Sequence, residues 1–330
     1  KRQPLEPPWL PRTSSICAGS RCRMSSWVWQ SPRMAEHDPI PEWFYRAMAT
    51  PYDERFIDVD GVPIHYLEWG DPADPGLVLV HGGAAHAHWW TFLAPMFAED
   101  WHVVALDLSG HGDSGRRTSY SHEKWACEVM AVADAADFPG PPVLVGHSLG
   151  GMVTIQIASE HGERLRGAVI VDTPVRRPDP ESEEGARGRA FRKPGVYPDL
   201  ATALGHFRLI PPQPCEHDFI IDHIARNSLH ETNAGWTWKF DPGLFKHTLV
   251  SLRDQLASVK CRVAMFRGEH SVTVPPDTAD YMYELMDCSA PVVTIPEAHH
   301  HLILDRPLAF VAALRTLLAD WDHSVPRQRG

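Results

Sequence analysis

The stretch Val143-Leu144-Val145-Gly146-His147-Ser148-Leu149-Gly150-Gly151 restricts what this chain can fold into more than any other. Val143 to Val145 are β-formers that follow Pro141-Pro142, and Met152 to Ala158 read as a helix. Between them Gly146, Gly150 and Gly151 flank Ser148. Glycine has no Cβ, so other backbone can pass close to it. A serine on so sharp a turn sits in a strained backbone region, with its hydroxyl projected at the start of the following helix. There the free N–H groups and the helix dipole favour developing negative charge. The pattern Gly-x-Ser-x-Gly is the nucleophile elbow. Alone it is weak; set between an apolar strand and a helix it is specific.

The rest of the chain repeats the strand-helix alternation. Phe56 to Val59 and Ile64 to Trp69 flank Asp60-Gly61, which predicts a hairpin. Leu77 to Val80 and Val103 to Leu108 are short apolar runs, as expected of strands buried on both faces of a parallel sheet. Helices are predicted from about Trp89 to Phe97 and from Glu123 to Phe138, and a strand over Ala168 to Val171 that ends at Asp172. The alternation stops there and resumes at Cys261 to Arg267 (strand), Pro276 to Met286 (helix), Val292 to Ile295 (strand) and Leu308 to Trp321 (helix). The pattern is that of an α/β fold with a mostly parallel, doubly wound sheet. The intervening Pro-rich and charged segment is too long for a plain loop. It is expected to form a helical cap over the carboxyl edge of the sheet, where such sheets place their ligands. The expected organisation is a core from residues 51–173 and 246–322, a cap from 174–245 and a tail at 323–330.

A chain of 330 residues suits one large α/β domain with an insertion, or two small domains. The formal net charge of -11 disfavours nucleic acid and anionic membrane surfaces as partners. The six cysteines are scattered with no zinc-knuckle spacing, which reads as a reduced, cytoplasmic protein. No apolar run reaches the ~18 residues of a membrane span. Residues 1–50 stand apart from the core as an N-terminal extension; Lys1 to Arg33 is rich in Arg, Pro, Ser and Trp and lacks periodicity. The expectation is a disordered arm, or non-native upstream sequence with Met34 or Met24 as the natural start.

A serine hydroxyl needs a base, and histidine suits that role near neutral pH. The base should follow the last sheet strand, where the chain reads Ile295-Pro-Glu-Ala-His299-His300-His301-Leu-Ile-Leu-Asp305-Arg-Pro307. Three adjacent histidines make a poor metal site because consecutive side chains diverge, so no metal is expected.

Together, His81-Gly82 after the third strand, the loop Asp107-x-Ser-Gly-His-Gly-Asp-Ser114, the elbow and the final histidine segment resemble the α/β-hydrolase superfamily. The resemblance covers about residues 56–321 and lies with the cap-bearing branch that includes epoxide hydrolases, haloalkane dehalogenases and many carboxylesterases. It implies an eight-stranded sheet with the cap inserted after the sixth strand. It also implies that the base lies five residues before an acidic residue and seven before a proline, which selects His300. The oxyanion donors it implies are the backbone N–H groups of Leu149 and Gly83. The chain departs from the family at the acid: in the usual Gly-x-x-Asp after the seventh strand, Ser271 takes the aspartate's place. Asp172, 24 residues after Ser148, resembles the alternative arrangement in which the acid ends the sixth strand. Glu269 is the rival acid.

Ser148 excludes epoxide and haloalkane displacement, which need a carboxylate nucleophile. The expected activity is cofactor-free ester hydrolysis through an acyl-enzyme on a small apolar or aromatic substrate. Lactone, thioester or carbon–carbon cleavage, or a slow-turnover binding protein, are the alternatives. His147, Trp89, Trp90, Trp236 and Trp238 are the candidate pocket residues, against a plain packing role for each.

Overall fold

The computed structural model describes residues 40–177, 195–246 and 251–324. The expectations for the arm through residue 39 and for residues 325–330 lie outside the described residues. The hairpin forms from β1 (Asp53–Val59) and β2 (Val62–Trp69), with Asp60 and Gly61 at φ 53° and 76°, the left-handed values that a tight two-residue turn requires. Then follow β3 (Gly76–Val80), β4 (His102–Leu106), α2 (His122–Ala135), β5 (Val143–His147), α3 (Leu149–His161) and β6 (Gly167–Val171). After the insertion come α6 (Arg253–Ala257), β9 (Val263–Gly268), α7 (Pro276–Leu285), β10 (Val292–Ile295), α8 (Leu302–Asp305) and α9 (Pro307–His323). The chain forms one eight-stranded sheet in the order β1-β2-β4-β3-β5-β6-β9-β10, parallel from β4 to β10.

Strand side chains alternate between two apolar layers. Leu79, Val145, Val169 and Phe266 face α9, where Phe310 and Leu314 pack. Val78, Leu144, Ile170 and Met265 face α2, α3 and α7. Burial of each such side chain contributes about 1.5–3 kcal/mol. Both faces of the sheet are therefore covered, which is why its strands read as continuous apolar runs.

The structure differs from the sequence reading at three places. The span from Trp89 to Phe97 is not one helix but two single 3-10 turns, Ala87–Trp89 and Ala94–Met96. Pro95 cannot donate within a helix, and the Thr91 hydroxyl already donates to His88 O. A helix, α1 (Glu42–Ala49), lies in the region read as outside the core; Phe44 is buried and its ring meets those of Phe92 and Phe219. Among its described residues the insertion holds not only the short helices α4 (Leu200–Gly205) and α5 (Asp218–Asn227) but also a hairpin of β7 (Leu229–Thr232) and β8 (Gly235–Trp238).

The insertion bonds to loops at the carboxyl ends of the strands. His86 meets Ser228, Thr91 meets His223, Lys239 meets Asp113, and Tyr120 donates to Asp241. β3 connects to β4 on one side while β5 lies on its other side, so the strand order reverses between β3 and β5, the point at which open α/β sheets place their ligands. Ser148 stands at that point.

The elbow depends on atoms that are absent. A Cβ on Gly150 would lie 2.4 Å from Val80 O and 2.5 Å from His81 O, both fixed backbone atoms at the end of β3. Gly150→Ala is expected to lower stability by about 2–3 kcal/mol in urea denaturation. Gly140→Ala, where a Cβ meets nothing within 4 Å, is expected to change it little.

Candidate active site

Ser148 sits between β5 and α3 at φ 52°, ψ -114°, a conformation that costs a non-glycine residue of order 1–3 kcal/mol. Surrounding bonds hold it there. Its N–H donates to Val171 O at 2.9 Å, and its carbonyl accepts from Gly151 N, Met152 N and the Thr173 hydroxyl at 3.0–3.1 Å. Thr173 was not singled out by sequence, since a threonine after a strand carries no signal of its own.

His300 lies in the loop between β10 and α8 and is buried. Its Nε2 is 3.1 Å from Ser148 Oγ, and its Nδ1 is 2.9 Å from Asp172 Oδ1. An ionised carboxylate only accepts hydrogen bonds, so the proton belongs on Nδ1 and the Nε2 lone pair faces the serine hydroxyl. Asp172 follows β6, is 1% exposed and takes φ 46°. Its Oδ2 accepts from Gly268 N at 2.8 Å, and its Oδ1 accepts from the Ser271 hydroxyl at 2.5 Å. Ser271 Oγ in turn accepts from Thr273 N and Val274 N, which turns its proton toward Asp172. Ser271 thus donates to the carboxylate that His300 Nδ1 also meets. Glu269 lies at the surface, where its side chain accepts from Glu297 N, and no bond joins it to His300.

Among the described residues, the N–H groups of Leu149 and Gly83 find no acceptor. The loop carrying Gly83 runs over the serine: a Cβ on Gly82 would lie 3.3 Å from Ser148 Cβ. His81 braces this loop, with Nδ1 donating to Gly82 O and Nε2 accepting from Leu108 N. Asp107 holds it from below. One carboxylate oxygen accepts from Ala87 N, and the other accepts from Asp113 N and meets His65 Nδ1 at 2.7 Å. Burial opposes charge on both groups, but their contact prevails and raises His65 while lowering Asp107.

A model of the alpha/beta hydrolase family matches residues 77–314. The chain belongs to the alpha/beta hydrolase family. Its relatives are esterases and hydrolases. It is 30% identical over 293 residues to 2-hydroxy-6-oxo-6-(2'-aminophenyl)hexa-2,4-dienoic acid hydrolase of Metapseudomonas resinovorans, covering 82% of this chain and 92% of that one. It is 28% identical over 247 residues to the pimeloyl-[acyl-carrier protein] methyl ester esterase of Nitrosomonas europaea, covering 74% and 95%. In fold it is similar to E-2-(acetamidomethylene)succinate hydrolase, with a TM-score of 0.71 at 20% identity over 82% of this chain and all of that one.

In this alpha/beta hydrolase the candidate pocket residues divide. His147 is buried beside the site: its Nε2–H donates to His300 O, and its ring lies 4.9 Å from that of His300. Trp89 meets the ring of His301 edge-on at 5.3 Å. Trp90 is fully buried and packs on Phe310 of α9, so it belongs to the core rather than to a pocket. Trp236 and Trp238 lie half-buried in β8; Trp238 packs on Phe207, and neither bonds to Ser148, Asp172 or His300. Among the described residues, two sets of side chains bring possible metal ligand atoms within 4.8 Å: His147 with His300 and His301, and His65 with Asp107 and Asp113. In the first, Ser148 and Asp172 already engage both nitrogens of His300. In the second, backbone N–H groups and His65 already fill the Asp107 carboxylate. No helix among the described residues is long and apolar enough to cross a membrane.

Burial holds several imidazoles neutral. It lowers His111 and His147 to about 3 and puts His86 and His301 well below their ordinary value. In the unfolded chain these groups take up protons near pH 6.5, and in the folded protein they stay neutral to much lower pH. The unfolded state therefore binds more protons in that window, and stability falls as pH drops below about 6.5. Each histidine contributes about 1.4 kcal/mol per pH unit at full effect. The urea midpoint is expected to fall sharply between pH 7.5 and pH 5; an unchanged midpoint would show that these rings protonate in the folded protein.

Proposed function

We propose that the protein is a serine esterase that cleaves carboxylic esters through an acyl-enzyme, with Ser148 as nucleophile, His300 as base and Asp172 as acid. The observation that carries the reading is the unbroken series Ser148 Oγ, His300 Nε2, His300 Nδ1 and Asp172 Oδ1, at 3.1 and 2.9 Å. Ser148 Oγ attacks the ester carbonyl as His300 Nε2 takes its proton. The carbonyl oxygen becomes an oxyanion that accepts from the N–H groups of Leu149 and Gly83, each such donor being worth roughly 3 kcal/mol. His300 then gives its proton to the departing alkoxide, and the alcohol leaves. Water enters, loses a proton to His300 and attacks the acyl-enzyme. The acid is released when the proton returns to Ser148 Oγ.

Asp172 holds the Nδ1–H tautomer and stabilises the imidazolium. The methyl ester esterase of Nitrosomonas europaea supports an ester as substrate. The insertion, bonded across the carboxyl ends of the strands, is the cap that selects the acyl and alcohol groups in this reading. A second reading, cleavage of a carbon–carbon bond beside a carbonyl on the same three residues, draws support from the 30% identical hydrolase of a 2-hydroxy-6-oxo dienoic acid.

A panel of p-nitrophenyl esters with graded acyl length, together with a fluorophosphonate probe, tests the proposal. Ser148→Ala is expected to lose both turnover and labelling. Asp172→Asn is expected to lower kcat by roughly 10⁴-fold while binding survives. Ser271→Ala removes one donor to a charged group, with an expected loss of about tenfold or more. Labelling at Ser148 without turnover on any ester, but with turnover of a vinylogous ketoacid, favours the second reading. Tight ligand binding with negligible turnover would instead mark a binding protein.

A further inference from the structure

His300 owes its place to two groups that touch neither its ring nor Ser148. The backbone N–H on each side of it is held by a side chain. His299 N donates to Asp305 Oδ2 at 2.8 Å, and His301 N donates to Gln213 Oε1 at 2.8 Å. The two acceptors are themselves joined, because Gln213 Nε2 donates to both Asp305 oxygens at 2.9 Å. The result is a closed clamp around one residue. Asp305 ends α8 and is 5% exposed, so its carboxylate depends on these donors for the hydrogen bonds that water would otherwise supply.

Gln213 comes from the insertion, far from His300 in sequence. It stands in Ile210-Pro211-Pro212-Gln213-Pro214, where the prolines restrict the backbone on both sides. A stiff segment presents the amide with little entropy left to lose. The next residues are tied down as well: Arg306 meets Glu216 from the insertion and Glu297 from the core, each at 3.0 Å. Those pairs are exposed and worth little. The clamp, half-buried and closed by Asp305, is the stronger connection.

We infer that Gln213 is a positioning residue, which with Asp305 fixes the backbone on both sides of His300 and so couples the seating of the insertion to the aim of the base at Ser148. The inference rests on His300 acting as the base. Displacement of a reacting group by about 1 Å costs on the order of a hundredfold in rate. A loosened clamp should therefore slow the attack of Ser148 and leave substrate affinity largely intact. A residue that merely holds the insertion in place would instead change KM, or the melting temperature alone.

The test reads the rate constant for fluorophosphonate labelling of Ser148, alongside kcat and KM on a short ester and the thermal midpoint by circular dichroism. Gln213→Glu keeps the acceptor for His301 N but sets a carboxylate against Asp305. Asp305→Asn keeps the acceptor for His299 N but turns an amide hydrogen toward the Gln213 amide. Each alone is expected to slow labelling and kcat roughly ten- to a hundredfold with KM changed less than about threefold. The double variant carrying both substitutions restores an acceptor for each backbone N–H and a donor–acceptor pair between 213 and 305. The carboxylate at 213 accepts from His301 N and from the amide at 305, whose oxygen accepts from His299 N. Recovery to within about threefold of the parent rate is expected.

Single variants that label at the parent rate would overturn the inference, as would a double variant no faster than the product of the two single losses. Loss of folding in a single variant, repaired in the double variant without recovery of rate, would overturn it as well. Labelling of Ser148 that keeps the parent rate in His300→Ala would bring down the base reading beneath it. Labelling slowed in His300→Ala but unaffected by Gln213→Glu and Asp305→Asn would bring down the clamp alone.

Discussion

The site depends first on how closely α3 approaches the end of β3. That approach leaves no room for a side chain at Gly150, whose missing Cβ would fall on Val80 O and His81 O; the packing of β5 on α3 likewise excludes one at Gly146, where a Cβ would lie 2.3 Å from Gly150 O and Thr154 Oγ1. The contact brings the first turn of the helix under the loop of His81 and Gly82. The open N–H of Leu149 and the open N–H of Gly83 come from these two segments. The strained backbone of Ser148 follows from the same packing. It persists because Val171 O, Thr173 and the α3 amides hold it from several sides.

The position of the carboxylate follows from sheet geometry. β6 and β9 are parallel neighbours, with Val171 opposite Phe266 and Asp172 N bonded to Phe266 O. Their carboxyl ends are therefore adjacent, and an acid on either can reach the same imidazole. When the carboxylate sits on β6, the position beyond β9 becomes free to donate rather than accept. Ser271 suits that role, because its hydroxyl has two backbone N–H groups behind it and one proton to give.

The core strands were legible because each is a short apolar run, and the elbow because glycine and serine there have few structural substitutes. The family spacing before Asp305 and Pro307 pointed to His300, and the end of the sixth strand offered Asp172 with Glu269 as its rival; His300 and Asp172 are the side chains bonded in series with the serine. Other features left no such trace. Thr91 and Pro95 break the helix pattern that apolar spacing suggested from Trp89 to Phe97. Phe44 was hidden in a short helix beside a stretch without periodicity. Trp90 reads like a pocket residue until its neighbour Phe310, far along the chain, is known. Gln213 is a polar residue among prolines, and its value comes only from meeting the amides beside His300. Asp305 was a marker for counting before it was a bonding partner.

The rings around His300 have a consequence for the path of a proton. His147 lies 4.9 Å from it and His301 4.7 Å, and both are buried bases too weak to take a proton near neutral pH, His147 at about 3. Imidazole neighbours often form wires along which protons run to solvent. Here they form insulation. In the proposed reaction, a proton lifted from Ser148 would find neighbours too weak to take it and would stay on the ring that took it, beside the atom to which it must next be delivered.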